Sequence, residues 1–365
     1  MLAAGITALA GCSGASEPAG QSEDRVNETA DEPSQATTRI GFVGDVMLGR
    51  SVNEQWADRN PAGVWGSTLK RLQGLDGLVV NLECCISDRG REWPDKVYYF
   101  RAAPDFAVPA LQAANASVAS LANNHILDFS ETGLKDTRAH LTDATIAHAG
   151  AGPDRDAAFE PAVTEIGSLT VATISLTSRY ETYAATENEP GTAHVTLDSS
   201  TSGTHQRVEK AIERAREQDP DLVIASLHWG PNWETAPADK QKTFARWLIE
   251  HGVDVVHGHS AHVLQGIEVH QGRPIIYDAG DFVDDYIDKE GYQNKRSALF
   301  ELVVSNGTLD ALRLVPVEIR DDTATMADPA PREWVRETIT ERSGAFGTTV
   351  ERTSLGLSIP LSSAP

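Results

Sequence analysis

From residue 39 onward, short runs of apolar and β-branched residues alternate with longer stretches whose apolar positions recur at helical spacing. Runs of the first kind are typical of buried strands, and stretches of the second kind are typical of amphipathic helices. This alternation predicts an α/β fold in which largely parallel strands are covered by helices. Strands are predicted over 39–44, 77–81, 116–122, 222–227 and 253–258. Helices are predicted over 105–114, 131–143, 206–218 and 239–251.

The C-terminal part of the chain departs from this alternation after residue 318. An acid-rich stretch comes first, and residues 331–342 then have the pattern of one amphipathic helix with Trp334 and Ile339 on its packing face. We expect this helix to dock on the main domain rather than to recruit a partner, and the residues beyond it to be loosely ordered. The predicted folded domain is therefore 39–318, and 319–365 form a C-terminal helix and tail.

The N-terminal segment has a composition of its own. Residues 2–11 are small and apolar and run into Cys12, and the sequence LAGC at this point resembles a lipobox, where an exported protein is cleaved and lipidated. The alternative is that the cysteine stands there by chance. A basic region normally precedes the apolar run of a signal segment, and none is present here. We expect 1–12 to be a truncated lipoprotein signal segment and 13–38 to be a disordered acidic tether. The predicted location is the cell surface, with the exported protein lipid-anchored to the membrane through Cys12.

The charge balance narrows the choice of partners. The chain carries 53 acidic against 31 basic residues, a formal net charge of −22. Phosphate backbones are bound by basic stripes, and none is visible, so nucleic acid is not an expected partner. An acid-rich, lysine-poor surface suits high salt, where self-repulsion is screened, so a halophilic source is a further expectation. No apolar run reaches the ~18 residues that a spanning helix needs.

Adjacent cysteines, Cys84 and Cys85, follow the strand predicted over 77–81. They lack the C-x-x-C spacing of zinc and redox sites, and no second pair completes four ligands. Two interpretations stay open: small buried side chains, or a vicinal disulfide in an oxidising location.

Polar side chains stand at or just past the end of every predicted strand. Because the carboxyl ends of parallel strands meet at one edge of a sheet, we expect these side chains to converge on a ligand site. Carboxylate, amide and imidazole donors together suit divalent Zn, Mn or Fe, and one carboxylate can bridge two ions. Any one histidine taken alone would more often be a satisfied core or surface residue. The candidate ligands are Asp45, Glu83, Asn124, His228, His259 and His262.

Ordered motifs carry a resemblance to a known family. The segments GDVMLGR, NLE, ANNHILDFSETGL, HWG, GHSAH and VLQGIE occur in the order typical of CapA-type capsule (poly-γ-glutamate) biosynthesis proteins, which belong to the calcineurin-like metallophosphatase superfamily. The resemblance covers 39–316. It implies a metallophosphatase-like four-layer αββα sandwich, in which two mixed β-sheets are flanked by helices.

The resemblance also implies a centre of two divalent metal ions, Mn, Zn or Fe. Asp45, Glu83 and His262 resemble the ligands of the first ion. Glu83 would bridge to a second ion whose other ligands match Asn124, His228 and His259. A histidine usually stands two residues after the first aspartate, but Met47 occupies that position. The first site is therefore expected to lack one ligand and to bind its ion weakly.

Catalytic roles follow from the same resemblance. His125 resembles the catalytic histidine that would act beside a metal-activated water, stabilising charge or protonating a leaving group. Asp128 is placed to orient this imidazole if a helical turn follows. The alternative is that this carboxylate interacts favourably with the positive end of the helix dipole at the N-terminus of the following helix. Lys96 and Arg101 are candidates for binding an anionic substrate, or are solvated charges on a strand edge.

Two further acids, Asp278 and Asp281, stand where relatives often show Ser and Asn. They could add acidity near the metals or simply reflect the acidic bias of the chain. His257 is left out of the site, because along an extended strand it points away from its neighbour.

The function implied by the resemblance is synthesis or attachment of an anionic capsule polymer at the cell surface, alongside membrane synthase or export subunits. A hydrolytic, metal-dependent activity is left open. One alternative is a non-catalytic polymer-binding subunit of a synthesis and export complex. Another is a surface phosphoesterase that acts on phosphoester substrates unrelated to capsule.

Overall fold

Two mixed β-sheets stack face to face, and helices cover their outer faces. A computed structural model of the chain describes residues 37–198 and 202–361. These residues belong to a single compact unit. The predicted signal segment with Cys12, and the predicted tether up to residue 36, lie outside the described residues.

The strands are β1 (Thr37–Val46), β2 (Gly77–Leu82), β3 (Cys85–Ile86), β4 (Arg101–Ala102), β5 (Ala116–Ser120), β6 (Ala147–Ala149), β7 (Ala151–Gly152), β8 (Ala162–Ile166), β9 (Leu169–Thr177), β10 (Gly191–Thr192), β11 (Leu222–His228), β12 (Val255–His259), β13 (Ile267–His270), β14 (Arg273–Ile276), β15 (Asp281–Val283), β16 (Arg296–Ser305), β17 (Thr308–Arg320), β18 (Thr323–Met326), β19 (Glu351–Arg352) and β20 (Leu357–Pro360). The helices are α1 (Arg50–Trp56), α2 (Leu69–Leu72), α3 (Pro104–Ala113), α4 (Ser130–Asp143), α5 (Arg155–Ala158), α6 (Ser202–Glu217), α7 (Asp239–Glu250) and α8 (Pro329–Gly344).

The larger sheet has the strand order β19-β20-β17-β16-β1-β2-β5-β6, with β15 beside β1 and β18 beside β17. Strands β1, β2, β5 and β6 run parallel, as βαβ connections require, whereas β16, β17 and β20 add an antiparallel half. The smaller sheet has the order β13-β14-β12-β11-β9-β8, and its central strands β9, β11, β12 and β14 are parallel. Both parallel halves end on the same side of the molecule, where polar side chains gather.

Three apolar cores hold the layers together. The middle core lies between the sheets and joins side chains such as Phe42 and Val79 of the larger sheet to Ile224 and Val255 of the smaller one. The second core packs α1 to α4 against the other face of the larger sheet. The third packs α6 and α7 against the outer face of the smaller sheet. The central parallel strands, such as β2, β11 and β12, are thus buried on both faces, which explains their nearly continuous apolar sequences. The predicted four-layer αββα sandwich is confirmed.

Most elements lie where the hydrophobic pattern predicts them. The helices predicted over 105–114, 131–143 and 239–251 correspond to α3, α4 and α7 with boundaries shifted by a residue at most. The five predicted strands correspond to β1, β2, β5, β11 and β12. Strand β1 begins at Thr37, so the last two residues of the predicted tether belong to the sheet.

The C-terminal region is part of the sandwich. Strand β17 runs through residue 318, so the predicted division at that point falls inside a strand. The helix predicted over 331–342 is present as α8, and its buried Val335 and Ile339 join the middle core. The expectation of a loosely ordered end is wrong for β20, because Leu357 and Ile359 are buried and pair with β17.

Among the described residues, no helix combines the length and the apolar character that a membrane crossing requires.

Candidate metal centre

A row of polar side chains crosses the larger sheet at the carboxyl ends of its strands. Asp45 of β1 is in register with Asp281 of β15 on one side and with Asn81 of β2 on the other. Residues in register on parallel strands point to the same face, so the three side chains lie next to one another. The amide of Asn81 donates to Asp45 Oδ1 over 2.7 Å. Glu83 follows directly after the end of β2 and is buried beside this row.

A matching row lies on the smaller sheet. His228 at the end of β11 is in register with His259 at the end of β12, and their Nδ1 atoms are 2.9 Å apart. The two rows face each other, because His259 Nδ1 lies 3.5 Å and His228 Nδ1 3.9 Å from Asp45 Oδ1. The Oδ1 atom of Asn124, from the loop after β5, is 2.6 Å from His228 Nε2. Side chains far apart in sequence therefore meet where the two sheets end.

His262 closes the group from the loop after β12. Its Nδ1 lies 2.8 Å from Asp281 Oδ1 and 3.3 Å from Asp45 Oδ2. The backbone φ of His262 is 60°, a left-handed conformation that is uncommon for a residue other than glycine. Such local strain is typical of positions where function sets the direction of a side chain.

These side chains form two groups that could hold metal ions, each with its candidate ligand atoms within 4.8 Å of one another. One group is Asp45, His228 and His259; the other is Asp45, Glu83, His262 and Asp281. The carboxylate oxygens Asp45 Oδ2 and Asp281 Oδ2 are buried and have no hydrogen-bond partner. A buried, unpartnered carboxylate oxygen is costly, and a cation bound between the carboxylates would satisfy it. The donor set thus fits divalent metal ions.

The pKa values of these groups follow from burial and from the crowding of carboxylates. Burial raises the pKa of Glu83 well above its ordinary value, and the charge of Asp45 adds to the effect. Burial opposes charge on Asp45 as well, but the close Nδ1 of His262 and the charges of His228 and His259 lower its pKa overall. Burial lowers the pKa of His259 to about 3. Burial also lowers the pKa of His228, so His228 and His259 are neutral at pH 7, the form in which histidine binds a metal. Burial opposes charge on His262 too, but Asp281 and Asp45 raise its pKa well above the ordinary value.

His125 and Asp128 form a buried pair at the rim of this group. His125 Nδ1 lies 2.7 Å from Asp128 Oδ2, and a turn closed by the hydrogen bond from Asp128 N to His125 O sets the spacing. The ring of Phe100 stacks on the imidazole with centroids 3.7 Å apart. His125 Nε2 then faces the carboxylates, 4.0 Å from Glu83 Oε1. Burial lowers the pKa of His125 to about 4, although Asp128 opposes this shift.

Asp128 is held by donors on several sides. The backbone N–H of Phe100 donates to its Oδ2 over 2.7 Å, and the hydroxyl of Tyr183 donates to its Oδ1 over 3.1 Å. Lys96 forms an ion pair with the same Oδ1 and also donates to the carbonyl of Asn124. These contacts favour the orienting role predicted for Asp128 over an interaction with the N-terminus of α4.

A cleft with a volume of about 480 Å³ opens above His125 and His262. Its walls carry cationic and aromatic side chains, and several apolar residues on its rim are exposed, including Val97 at 79% and Ile287 at 70%. Its lining includes the cationic residues Arg50, Lys96, Arg179 and Lys289, the aromatic residues Tyr180, Trp233 and Tyr286, and the apolar Val97 and Ile287.

Of the two predicted substrate-binding residues, the structure places one at the cleft. Lys96 lines it, although its ammonium group is already paired with Asp128. Arg101 does not line it: its guanidinium lies 4.0 Å from the centroid of the Phe129 ring and donates to the carbonyl of Arg89. This position corrects the expectation for Arg101, because β4 turns the side chain away from the cleft.

The adjacent cysteines are free thiols and both are buried. Burial raises the pKa of Cys84 to about 12 and that of Cys85 well above its ordinary value. Neither is a thiolate at neutral pH, which agrees with the first interpretation, small buried side chains.

Three residues of the site region did not stand out in the sequence. The sequence leaves the role of Asp281 open, gives no indication of a role for Arg179, and directs His257 away from the site. His257 is buried beneath the centre, with Nε2 2.8 Å from the carbonyl of Val43 and its ring 5.2 Å from that of His259. Its position beneath His228 and His259 agrees with the alternation of side-chain direction along β12. Met47 is buried in the core of the larger sheet, and its sulfur accepts from Gly49 N.

The fold and the site together define the class: this is an α/β protein of four-layer αββα architecture with a candidate metal centre at the strand ends. The sequence model of the family described as "Bacterial capsule synthesis protein PGA_cap" matches residues 39–286. The chain belongs to this family.

Named relatives agree with that assignment. The "Probable polyglutamine synthesis accessory protein" of Mycobacterium tuberculosis (strain H37Rv) is 34% identical over 362 aligned residues, covering 87% of this chain and 94% of that protein. The "PGA biosynthesis protein CapA" of Bacillus subtilis is 28% identical and covers 80% of this chain and 72% of its own length. The "Capsule biosynthesis protein CapA" of Bacillus anthracis is 28% identical, with 77% and 67% covered.

Proposed function

We propose that this protein acts in the synthesis or attachment of a poly-γ-glutamate or related anionic capsule polymer, through a hydrolase-type centre of two divalent metal ions. Membership of the capsule synthesis family and the names of its relatives in Mycobacterium and Bacillus support the capsule role. The polymer would be the ligand, and membrane synthase or export subunits would be partners.

The observation that carries the proposal is the group of buried histidines and carboxylates at the floor of an open cleft, with the His125–Asp128 pair beside it. Asp45, Glu83 and His262 would hold one ion, and Asn124, His228 and His259 the other. Glu83 would bridge the two ions, as the resemblance implies, and Asp45 is the carboxylate common to both candidate groups. Bound Mn, Zn or Fe at such a centre would activate water and polarise the bond to be cleaved. A glutamyl amide or a phosphoester would offer such a bond.

His125 has the geometry of a base at this centre. Its Nδ1–H donates to Asp128, which leaves the Nε2 lone pair directed towards the carboxylates around Glu83. The low pKa of about 4, caused by burial, keeps the ring neutral at pH 7 and free to accept a proton. Asp128 would then stabilise the imidazolium, and the proton could pass on to a leaving group.

The cleft walls favour an anionic chain. Arg179 and Lys289 bring positive charge to a protein whose net charge is −22, and neither is in a salt bridge within the described part of the chain. Arg50, in contrast, is already paired with Asp285. Exposed Ile287 and Val97 on the rim would pack on methylene groups of a polymer between its carboxylates. The positive charges of the cleft would bind the carboxylates of a polyglutamyl chain, and the apolar rim would contact its methylene groups.

The second candidate function is that of a non-catalytic polymer-binding subunit. Met47 favours it. This methionine occupies the position where a histidine usually completes the first metal site, and its side chain is buried in the core. The cleft and its cations would serve such a subunit equally well.

One experiment separates the two. The purified protein is assayed for bound Mn, Zn and Fe by mass spectrometry, and for cleavage of γ-glutamyl oligomers and of a phosphodiester, beside His125→Ala. Two equivalents of metal, with turnover lost by at least about a hundredfold in His125→Ala at unchanged metal content, support the enzyme. Polymer binding with no turnover in either protein supports the binding subunit instead.

Exported location and lipid anchoring through Cys12 are part of the proposal. The LAGC sequence supports them. In cells, Cys12→Ser is expected to move the protein from the membrane fraction to the soluble fraction; an unchanged distribution would reject the anchor.

A further inference from the structure

We propose that Asp281 is a direct ligand of the first metal ion, so that this site consists of three carboxylates and one imidazole: Asp45, Glu83, Asp281 and His262. The inference rests on the proposed metal centre. It replaces the expectation that the first site lacks a ligand because Met47 stands where a histidine usually does.

Strand pairing puts Asp281 into the centre. Strand β15 runs parallel to β1 at its carboxyl end, with Asp281 in register with Asp45. Two backbone hydrogen bonds fix this pairing: Asp45 N donates to Gly280 O over 3.0 Å, and Met47 N donates to Val283 O over 2.8 Å. Neighbours in register on parallel strands are about 4.8 Å apart, a separation at which two carboxylates can share one ion.

The unpartnered oxygens identify where the ion would bind. Asp281 uses Oδ1 to accept from His262 Nδ1, over 2.8 Å, while its Oδ2 is buried without a partner. Asp45 Oδ2 is buried in the same state, and both side chains are inaccessible to solvent. Each of these oxygens has lost its hydration, and the imidazole of His262, with Nδ1 3.3 Å from Asp45 Oδ2, does not complete a hydrogen bond to either of them. A cation bound to both carboxylates would offset this cost and the repulsion between them.

The neighbouring acids do not share this arrangement. Asp278 accepts backbone N–H groups with both oxygens, from Ala261 over 2.7 Å and from Gly280 over 2.9 Å. Asp285 is paired with Arg50. Asp284 is paired with Lys295 through Oδ1, and although its Oδ2 also lacks a partner, this residue is outside both candidate ligand groups. Asp281 is thus the acid of the 278–285 segment that the ligand geometry selects.

The presence of a carboxylate in place of an imidazole changes the chemistry of the site. The first site becomes rich in oxygen, whereas the second, with His228 and His259, keeps two imidazole ligands. Carboxylate oxygens suit Mn²⁺ and Mg²⁺, and imidazole suits Zn²⁺ and Fe²⁺. The two sites should therefore differ in preference, with Mn²⁺ favoured over Zn²⁺ at the first.

The test measures metal binding directly. Metal-free protein is titrated with Mn²⁺ by calorimetry, and the loaded protein is examined by electron paramagnetic resonance for coupling between two Mn²⁺ ions. Wild type is expected to bind two ions and to show the coupled signal. Asp281→Asn should weaken binding of the first ion by at least about tenfold and abolish the coupling. Asp281→Ala is measured in parallel, and thermal melts verify that each variant is folded.

Asp284→Asn is the matched control. It removes the same charge from a buried position three residues along the chain, and its Oδ1 can still accept from Lys295. Binding of two ions with wild-type affinity is expected, and a loss equal to that of Asp281→Asn would overturn the proposal by attributing the effect to charge alone.

The Asp281→Asn variant also tests a merely orienting role. Its side-chain amide oxygen could still accept from His262 Nδ1, so a residue that only orients this imidazole would tolerate the change. Two ions bound by Asp281→Asn with unchanged affinity and coupling would overturn the ligand role and leave the metal centre standing. A wild-type protein that binds no ion would overturn both.

Discussion

Arg179 is the cleft cation whose environment is best suited to an incoming anion. It lies in the loop after β9, and its guanidinium donates to the carbonyl of Gly230 and, over 2.8 Å, to Asn232 Oδ1. Burial lowers its pKa, which the carboxylates of Glu83 and Asp45 oppose. An arginine held by neutral acceptors keeps donors directed into the cleft for a carboxylate or a phosphate.

Arg179→Ala is therefore expected to weaken binding of a γ-glutamyl oligomer by about tenfold to a hundredfold, as the loss of a charge-assisted hydrogen bond predicts. Calorimetry at fixed metal content measures it. Arg101→Ala, which removes an arginine outside the cleft, is the matched control and should bind as wild type does. Equal affinities of all three proteins would show that the anion site lies elsewhere.

Single residues at the strand ends were predictable, and their partners across the site were not. Asp45, Glu83, His228 and His259 each end a run whose pattern marks a strand, so the sequence places them at the same edge. Asp281 begins a strand of three residues, which is too short to show a hydrophobic pattern. Its position at the centre depends on the pairing of this strand with β1. The charge of a side chain is visible in the sequence, but the direction in which a short strand turns it is not.

At the scale of elements, the close approach of β1 and β15 depends on Gly44. A Cβ atom at this position would collide with the carbonyl oxygen of Gly280, so any larger residue must push the two strands apart. The pairing that brings Asp281 next to Asp45 thus requires a glycine immediately before the first ligand.

Gly44→Ala is expected to destabilise the protein by about 1–3 kcal/mol, as overpacking of a tight backbone contact does, and to weaken metal binding at the same time. Urea unfolding measures the first effect and Mn²⁺ titration the second. Gly344→Ala serves as control for the change of residue, since open space surrounds that glycine at the end of α8. Normal metal affinity in Gly44→Ala would disprove the link between this approach and the centre.

The strands and helices of the βαβ units were predictable because the spacing of apolar residues within each segment indicates a strand or a helix. The antiparallel half of the larger sheet was not predicted. Strands β16 and β17 were included in the domain but not placed in the sheet, and β20 was expected to be loose. Their positions depend on pairing between distant segments, which hydrophobic period does not encode.

At the scale of the whole molecule, many buried imidazoles make stability sensitive to acid. Burial lowers the pKa of both His125 and His257 to about 4. In the unfolded chain these groups titrate near ~6.5, so below that pH the unfolded state binds more protons than the folded state. The free energy of unfolding therefore falls as the pH drops from about 6.5 towards 4.

His257 isolates this effect because it lies beneath the centre and outside both candidate ligand groups. In metal-free protein, wild type should lose about 2 kcal/mol more than His257→Asn between about pH 7 and pH 5, a difference that urea unfolding can measure. His251→Asn, at an exposed histidine at the end of α7, serves as the control for the change of residue type. Parallel curves for wild type and His257→Asn would contradict the assigned cause.

The pairing of β1 with β16 joins Thr37 to Ser305 and so links the start of the described chain to its last quarter. A strand with such a distant partner completes its pairing only when nearly all of the chain is available, and contacts of this range form late in folding. The candidate ligands, which lie on β1, β11, β12 and β15 and in the loops after β2, β5 and β12, would remain dispersed until then. If the proposed export carries the chain across the membrane unfolded, its ions would be acquired in the compartment where folding finishes. The metals available outside the cytoplasm, rather than those inside it, would then determine which ions the centre holds.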